Sequence, residues 1–360
     1  MEDRAPACLF AFGVISDTQY ADIDNRPNFT KTCTRYYRNA LTLLSEAIDH
    51  WTSRDPSAVR PDFVMQLGDI LDGFNNEGGK EESWRSLETV LGQFDRLPCP
   101  VHHLLGNHEF YNFSRVELMT SRLFTGADFE SAPRNSKCRC FPDVIPTTGS
   151  GAEGLAAYYH FSPAPGFRIV VLDAYDQSII GHAETCPIGQ ESLQLVRSIN
   201  KNKLLNSPDG LSVSQRRFVA FNGGLGEEQL EWLEDLLRRA CSAEEKVIVF
   251  GHIPIYPING EHTCLLWDYQ EALKILRSFP CVIATFTGHT HSYRYCVDAT
   301  SGIHFISFPG IVEIGPGSNG FGTVLVYEDR LVLRGVGKVR SFEMVFPKAG
   351  SCEPAAAEHL

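Results

Sequence analysis

The sequence predicts an α/β protein, and three observations carry that expectation. Short apolar runs alternate along the chain with amphipathic stretches of helical period. The 360 residues are 43% hydrophobic and 21% charged, an ordinary globular balance. Five of the apolar runs also end alike, in Gly or Ser followed by Asp, Asn, Gln or His. The length suits one large domain, expected over residues 9–345 with short tails at 1–8 and 346–360.

The first run, residues 9–15, reads as a buried strand and closes on Ser16-Asp17-Thr18-Gln19. Side chains two apart on an extended segment share a face, so Asp17 and Gln19 are expected to meet at one point. Taken alone, the commoner reading of such a stretch is an Asx turn. Residues 35–51 then place Tyr37, Ala40, Leu44, Ala47 and Trp51 at helical spacing. Residues 62–67 form a strand ending in Gly68-Asp69, 81–96 a helix, and 101–105 a strand followed by Gly106-Asn107-His108-Glu109. Residues 167–173 are another strand. Residues 225–240 are a strong helix, with Glu227 and Glu228 near its start and Arg238 and Arg239 near its end, as the macrodipole favours. Strands at 246–250, 281–287, 303–308 and 323–327 follow. The first of these leads into Gly251-His252, the second into Gly288-His289-Thr290-His291. Two stretches, near 113–157 and 176–221, are rich in Pro, Gly, Ser and Asn and weakly periodic. They are expected to be partly helical excursions that wall a substrate pocket, with surface decoration as the plainer alternative.

A net charge of −12 disfavours nucleic acid as a partner. It also means that an anionic substrate needs local positive charge, which bound metal ions supply. No apolar run approaches the roughly 18 residues of a membrane span, and the N-terminus has no secretory pattern. The eleven cysteines show no CxxC spacing, so free buried thiols of a reducing, cytosolic compartment are expected.

The strand ends together offer two carboxylates (Asp17, Asp69), two carboxamides (Gln19, Asn107) and the imidazoles of His108, His252, His289 and His291. Each alone has an ordinary structural reading; five such ends in order do not arise from composition. The set suits two first-row divalent ions about 3.5–4 Å apart. One ion has no use for so many ligands, and calcium disfavours histidine.

These five strand ends resemble the signature of the calcineurin-like metallophosphoesterases, D-x-H, G-D, G-N-H-(E/D), G-H and G-H-x-H. The resemblance implies two packed mixed β-sheets flanked by helices, an αββα sandwich. It implies a first metal held by Asp17, Gln19, Asp69 and His291, and a second held by Asp69, Asn107, His252 and His289, with Asp69 bridging. His108 is then the catalytic residue over the substrate phosphate, oriented by Asp72 or Glu109. Gln19 departs from the pattern, standing where most members have His. An amide oxygen is a harder ligand, which moves preference from zinc toward Mn²⁺ or Mg²⁺, with iron and zinc still open. Longer stretches, among them "SDTQYAD", "RYYRNAL", "LGNHEFYNFSR", "LDAYD" and "FNGGLGEEQLEWL", resemble the manganese-dependent ADP-ribose/CDP-alcohol diphosphatases over roughly residues 9–340. This implies a monomer acting on small nucleoside-diphosphate conjugates such as ADP-ribose and CDP-choline. A metal-bridging hydroxide would release AMP or CMP and a phosphorylated moiety. Phe29 and Cys264 are candidate contacts for the nucleotide, although packing is the ordinary role of such residues. Arg35 and Arg38 are expected on a helix surface. The alternatives are a cyclic-nucleotide phosphodiesterase or phosphoprotein phosphatase on the same core, or a binding scaffold without chemistry.

Overall fold

The computed structural model describes residues 7–55, 58–124, 143–144, 157–183 and 185–347. Its first sheet runs in the order Phe342–Val345, Arg330–Gly337, Gly320–Val326, Phe10–Ile15, Phe63–Gln66, Val101–His103. Phe10–Ile15 is antiparallel to Gly320–Val326 and parallel to Phe63–Gln66, which makes the sheet mixed. The second sheet runs Arg294–Val297, His304–Ser307, Val282–Thr287, Lys246–Phe250, Phe167–Val171, Tyr159–Phe161, Asp143–Val144. The four strands from His304–Ser307 to Phe167–Val171 are mutually parallel, and those beyond them are antiparallel.

Phe10–Ile15 shows why the sheets pack as they do. All six residues are buried, so the strand is apolar on both faces. Phe10, Phe12 and Val14 face the second sheet. The Phe12 ring stacks on Phe63 at 5.4 Å and meets Phe250 and Phe286 edge-on at 5.6 Å. The alternate residues face a helix, Tyr37–Thr52. A Cβ on Gly13 would lie 2.8 Å from the Trp51 ring, so only glycine lets that ring seat against the strand. Trp51 Nε1 donates to Thr323 Oγ1 at 3.0 Å, which pairs its buried N–H. Tyr37–Thr52 and Lys80–Phe94 cover the first sheet, and Gly226–Ser242 and Tyr269–Ser278 cover the second. This is the expected two-sheet sandwich with helices outside.

The helices expected at 35–51, 81–96 and 225–240 are Tyr37–Thr52, Lys80–Phe94 and Gly226–Ser242. Helix Tyr269–Ser278 and the strands Tyr159–Phe161, Arg294–Val297, Arg330–Gly337 and Phe342–Val345 were not foreseen. Three of those strands are short, and Arg330–Gly337 carries charged residues and glycines that mask its period. Of the first excursion, 125–142 and 145–156 lie outside the described residues. The second contains helix Pro187–Ile199, opened by proline at its first position. The eight described cysteines are free, but only Cys186 and Cys281 are buried, because most of the others sit at the ends or edges of elements. Among the described residues no helix is long and apolar enough to cross a membrane.

A buried ion pair joins the first excursion to the second sheet. Arg115, on the short helix Arg115–Met119, pairs with Asp173 just past the end of Phe167–Val171. Its Nη2 donates to the Tyr175 carbonyl at 2.6 Å. Arg115→Met leaves a buried carboxylate without its cation and is expected to cost about 3–5 kcal/mol, read as a lower denaturant midpoint. Replacing both partners by apolar residues is expected to recover much of that loss.

Candidate metal centre

The five strand ends converge at one edge of the sandwich. The first sheet brings the oxygen donors of Asp17, Gln19, Asp69 and Asn107, and the second brings the imidazoles of His252, His289 and His291. Asp17, Gln19, Asp69, His289 and His291 have φ of 50, 40, 53, 66 and 54°. They are five of the eight non-glycine residues with positive φ among the described residues. The extended spacing expected for Asp17/Gln19 is therefore corrected: both sit in left-handed turns, as do Asp69, His289 and His291. Such conformations cost about 1–3 kcal/mol apiece and persist where surrounding contacts impose them. Here the loops bond to one another, Asp17 N to Gly68 O at 3.2 Å and Gln19 N to Asp69 O at 2.9 Å. The glycines of the motifs permit close approach. A Cβ on Gly106 would run into Asp69 Oδ1, and one on Gly288 would lie 2.6 Å from Asp17 Oδ2.

Two triads that could each hold a metal ion result, Asp69/His252/His289 and Asp17/Asp69/His291, each with its donor atoms within 4.8 Å of one another. Asp69 belongs to both. His252 Nε2 lies 3.5 Å from Asp69 Oδ2, and His291 Nε2 lies 3.3 Å from Asp17 Oδ1. His289 Nδ1 is 3.1 Å from His252 Nε2. The outer nitrogen of every one of these rings faces an acceptor. His252 Nδ1 is 2.7 Å from Leu67 O, His291 Nδ1 is 2.9 Å from Glu313 Oε1, and His289 Nε2 is 2.8 Å from Asn222 Oδ1. Asn222 spends its amide hydrogens on Arg217 O and Thr263 O, so its oxygen faces the ring. An outer N–H held by an acceptor leaves the inner nitrogen as a lone-pair donor, the usual support of a metal-binding histidine. The donor set therefore fits two cations sharing one carboxylate.

The carboxamides are placed differently. Asn107 is gripped at both ends, its Nδ2 donating to Tyr111 Oη and its Oδ1 accepting from Tyr175 Oη, each at 3.2 Å. Gln19 turns its nitrogen, not the expected oxygen, toward the cluster, with Nε2 2.8 Å from Asp69 Oδ2 and 3.1 Å from His291 Nε2. Its Oε1 is buried without a hydrogen-bond partner. A half-turn of the amide exchanges the two ends, and no hydrogen bond on the oxygen side resists it.

His108 differs from the other three histidines. Its Nδ1 accepts from the Gly73 backbone N–H at 2.9 Å, so the proton of the neutral ring sits on Nε2. That Nε2 lies 4.0 Å from Asp69 Oδ2 and offers a hydrogen rather than a lone pair. Asp72 Oδ2 stands 3.4 Å from His108 Nδ1. Glu109 does not orient His108; it bonds the backbone N–H groups of Gly106, Asp69 and Ile70 at 2.6–2.8 Å and clamps the Asp69 loop.

Burial raises the Asp69 and Asp17 carboxyls, but neighbouring imidazoles, His252 and His108 beside Asp69 and His291 beside Asp17, outweigh it and hold both below the usual range. Burial disfavours charge on His252 and His291 too, yet Asp69 and Asp17 lift them to about 9. His289 is pushed down to about 3 by burial and by His252. Burial, then repulsion from Asp69, raises Glu109 to about 7. Carboxylates that draw protons onto adjacent imidazoles draw metal cations in the same way.

The two candidate nucleotide contacts differ in their surroundings. Phe29 is 78% exposed, in the turn between the short paired segments Arg26–Pro27 and Thr34–Arg35. Cys264 is half-buried, and its thiol is pushed up to about 12 by burial and by Glu261, with a smaller contribution from Asp17. Arg35 departs from the expectation. It lies on that paired segment, not on the helix, and contacts Asp72 and Glu313; Arg38 is the exposed one. Glu313, Asn222 and Tyr175 were missed as supports because none follows an apolar run with a glycine. For Asn222 the signal was the "FNGGLG" stretch where the chain re-enters the core.

The chain belongs to the calcineurin-like phosphoesterase family, whose model matches residues 10–293. Within it, its relatives are the manganese-dependent ADP-ribose/CDP-alcohol diphosphatases. The Xenopus tropicalis protein of that name is 44% identical over 332 residues, 92% of each chain. The Homo sapiens one is 42% identical over 340 residues, 94% of each chain. Among solved structures, a dimetal phosphatase from Danio rerio superposes with a TM-score of 0.82 at 36% identity, covering 95% of this chain and all of that one.

Proposed function

We propose that the protein is a manganese-dependent dimetal hydrolase of phosphoanhydride bonds. Its substrates are ADP-ribose, CDP-choline and related nucleoside-diphosphate conjugates, and its products are AMP or CMP plus a phosphorylated moiety. The observation that carries the reading is the sharing of Asp69 by two largely buried triads. The names of the relatives supply the substrate class. Asp17, Gln19, Asp69 and His291 would hold the first ion, and Asp69, Asn107, His252 and His289 the second. When bound, two such ions polarise phosphate oxygens and lower the pKa of a water to about 7. His108 presents its Nε2–H to the phosphate or to the departing oxygen, and the Gly73 N–H keeps that tautomer. The left-handed turns pre-position the ligands, so little rearrangement is needed when substrate arrives. Glu109 fixes the loop that carries the shared carboxylate. A single domain over 9–345 suffices, and so does a monomer, since every proposed ligand comes from one chain. The free thiols suit the cytosol.

The test is turnover by the metal-stripped protein given Mn²⁺, Mg²⁺ or Zn²⁺ with ADP-ribose, CDP-choline, a cyclic nucleotide or a phosphopeptide. Release of AMP and CMP, fastest with Mn²⁺, is expected. Activity confined to the cyclic nucleotide or phosphopeptide would reject the substrate and keep the dimetal core. No turnover with any ion would leave a binding scaffold.

A further inference from the structure

Two carboxylates back the site from different sides. Glu313 stands behind His291, and Asp72 stands beside His108. Arg35 lies between them, with Nε 3.4 Å from Glu313 Oε1 and Nη1 3.4 Å from Asp72 Oδ2. Its side chain is 18% exposed. Burial disfavours its charge, yet Asp72 and Glu313 more than compensate and raise its pKa. The backbone fixes this placement. Tyr36 N donates to Val312 O at 2.6 Å, which sets Arg35 opposite the turn Ile311–Glu313. That turn is itself bonded to the Asp17 loop, Ile311 N to Ser16 O at 3.2 Å and Val312 N to Asp17 O at 3.1 Å. The nearby Arg38 only joins the exposed Asp22 and Asp24.

We propose that Arg35 is a positioning residue: its guanidinium ties the support of the first-ion ligand His291 to the carboxylate beside the hydrogen-bond donor His108, and so sets the donor's place relative to the ion pair. The proposal rests on the ligand and donor roles given under the proposed function. It assigns the two functions of a fork, one nitrogen to each carboxylate. A lysine keeps the charge but presents a single nitrogen and does not replace the fork.

Arg35→Met and Arg35→Lys test this, with Arg38→Ala as the nearby control and thermal melts to establish that each variant folds. The first readout needs no substrate: Mn²⁺ affinities of the two sites, from titration of the stripped protein followed by electron paramagnetic resonance. Support behind a metal-binding histidine is worth about 10–100-fold in affinity, and Arg35 is one contact further out. The first site is therefore expected to weaken by about 3- to 10-fold in Arg35→Met, with the second within twofold of native. The second readout is kinetic: kcat should fall by about tenfold with KM nearly unchanged, Arg35→Lys should recover only part, and Arg38→Ala should match the native protein. Unchanged affinities and kcat in Arg35→Met would overturn the proposal. So would equal weakening of both sites, full recovery by Arg35→Lys, or a rise in KM alone, which would make Arg35 a substrate contact. Native turnover of ADP-ribose in the same assay judges the functional reading separately from the affinity result.

Discussion

Asp69→Asn is expected to empty both metal sites together and to reduce turnover by about 10⁴-fold. Asp69 is the one carboxylate common to the two triads. Loss of a mere outer support of a metal ligand costs about 10–100-fold in affinity, so loss of a shared anionic ligand costs at least the upper figure at each of two sites. The substitution is nearly isosteric, and Oδ1 can still accept from the backbone N–H of His108, as it now does at 2.8 Å. The fold should therefore survive, and with the metal ions removed its melting temperature should stay close to that of native protein. Metal content by mass spectrometry and kcat on ADP-ribose are the measurements. Full occupancy of either site after the substitution would show that Asp69 does not bridge.

His108→Ala is expected to separate the substrates. The leaving group of a diphosphate is a phosphate monoester, which departs with little help from a proton. An alkyl phosphodiester expels an alkoxide and depends on one. With Nδ1 accepting from Gly73 the neutral ring helps through the Nε2–H hydrogen bond, whose worth grows with the charge on the departing oxygen, so the loss should be smaller for ADP-ribose than for an alkyl phosphodiester and below the roughly 10²–10⁴-fold of full proton transfer. Metal content should not change, because His108 gives its Nδ1 lone pair to Gly73 and carries a hydrogen on Nε2. Equal losses on the two substrates would remove the leaving-group argument. Lost metal would make His108 a ligand.

The proposed ligands stood out in the sequence because each closes an apolar run, and apolar runs of this length announce buried strands. Glycine marked the same places: Gly106 and Gly288 precede ligands because another ligand packs against them. What held the ligands was not legible. Glu313, Asn222 and Arg35 act across sequence separations that no local pattern encodes, such as the 278 residues between Arg35 and Glu313. The left-handed backbone at Asp17 and His291 was also hidden, since Asp and His are compatible with several conformations and tertiary contacts choose among them. Glu109 was seen but given the wrong duty. Its position next to His108 suggested a side-chain contact, whereas the helix turn sends its carboxylate back to the amides of Gly106 and the Asp69 loop.

The division of donors between the two sheets has a consequence for how the molecule comes apart. Oxygen ligands arise from one layer and imidazoles from the other, so each proposed ion would rivet layer to layer across the aromatic seam. Opening the sandwich at that edge would then require releasing manganese, and free manganese in solution would act as a brake on unfolding. The rivet also spans the order of synthesis. Asp17 emerges near the beginning and His291 after most of the chain, so a polypeptide interrupted midway holds the oxygens without the nitrogens. Hydrolytic power would thus arrive all at once, with the closing of the last layer, and never in instalments.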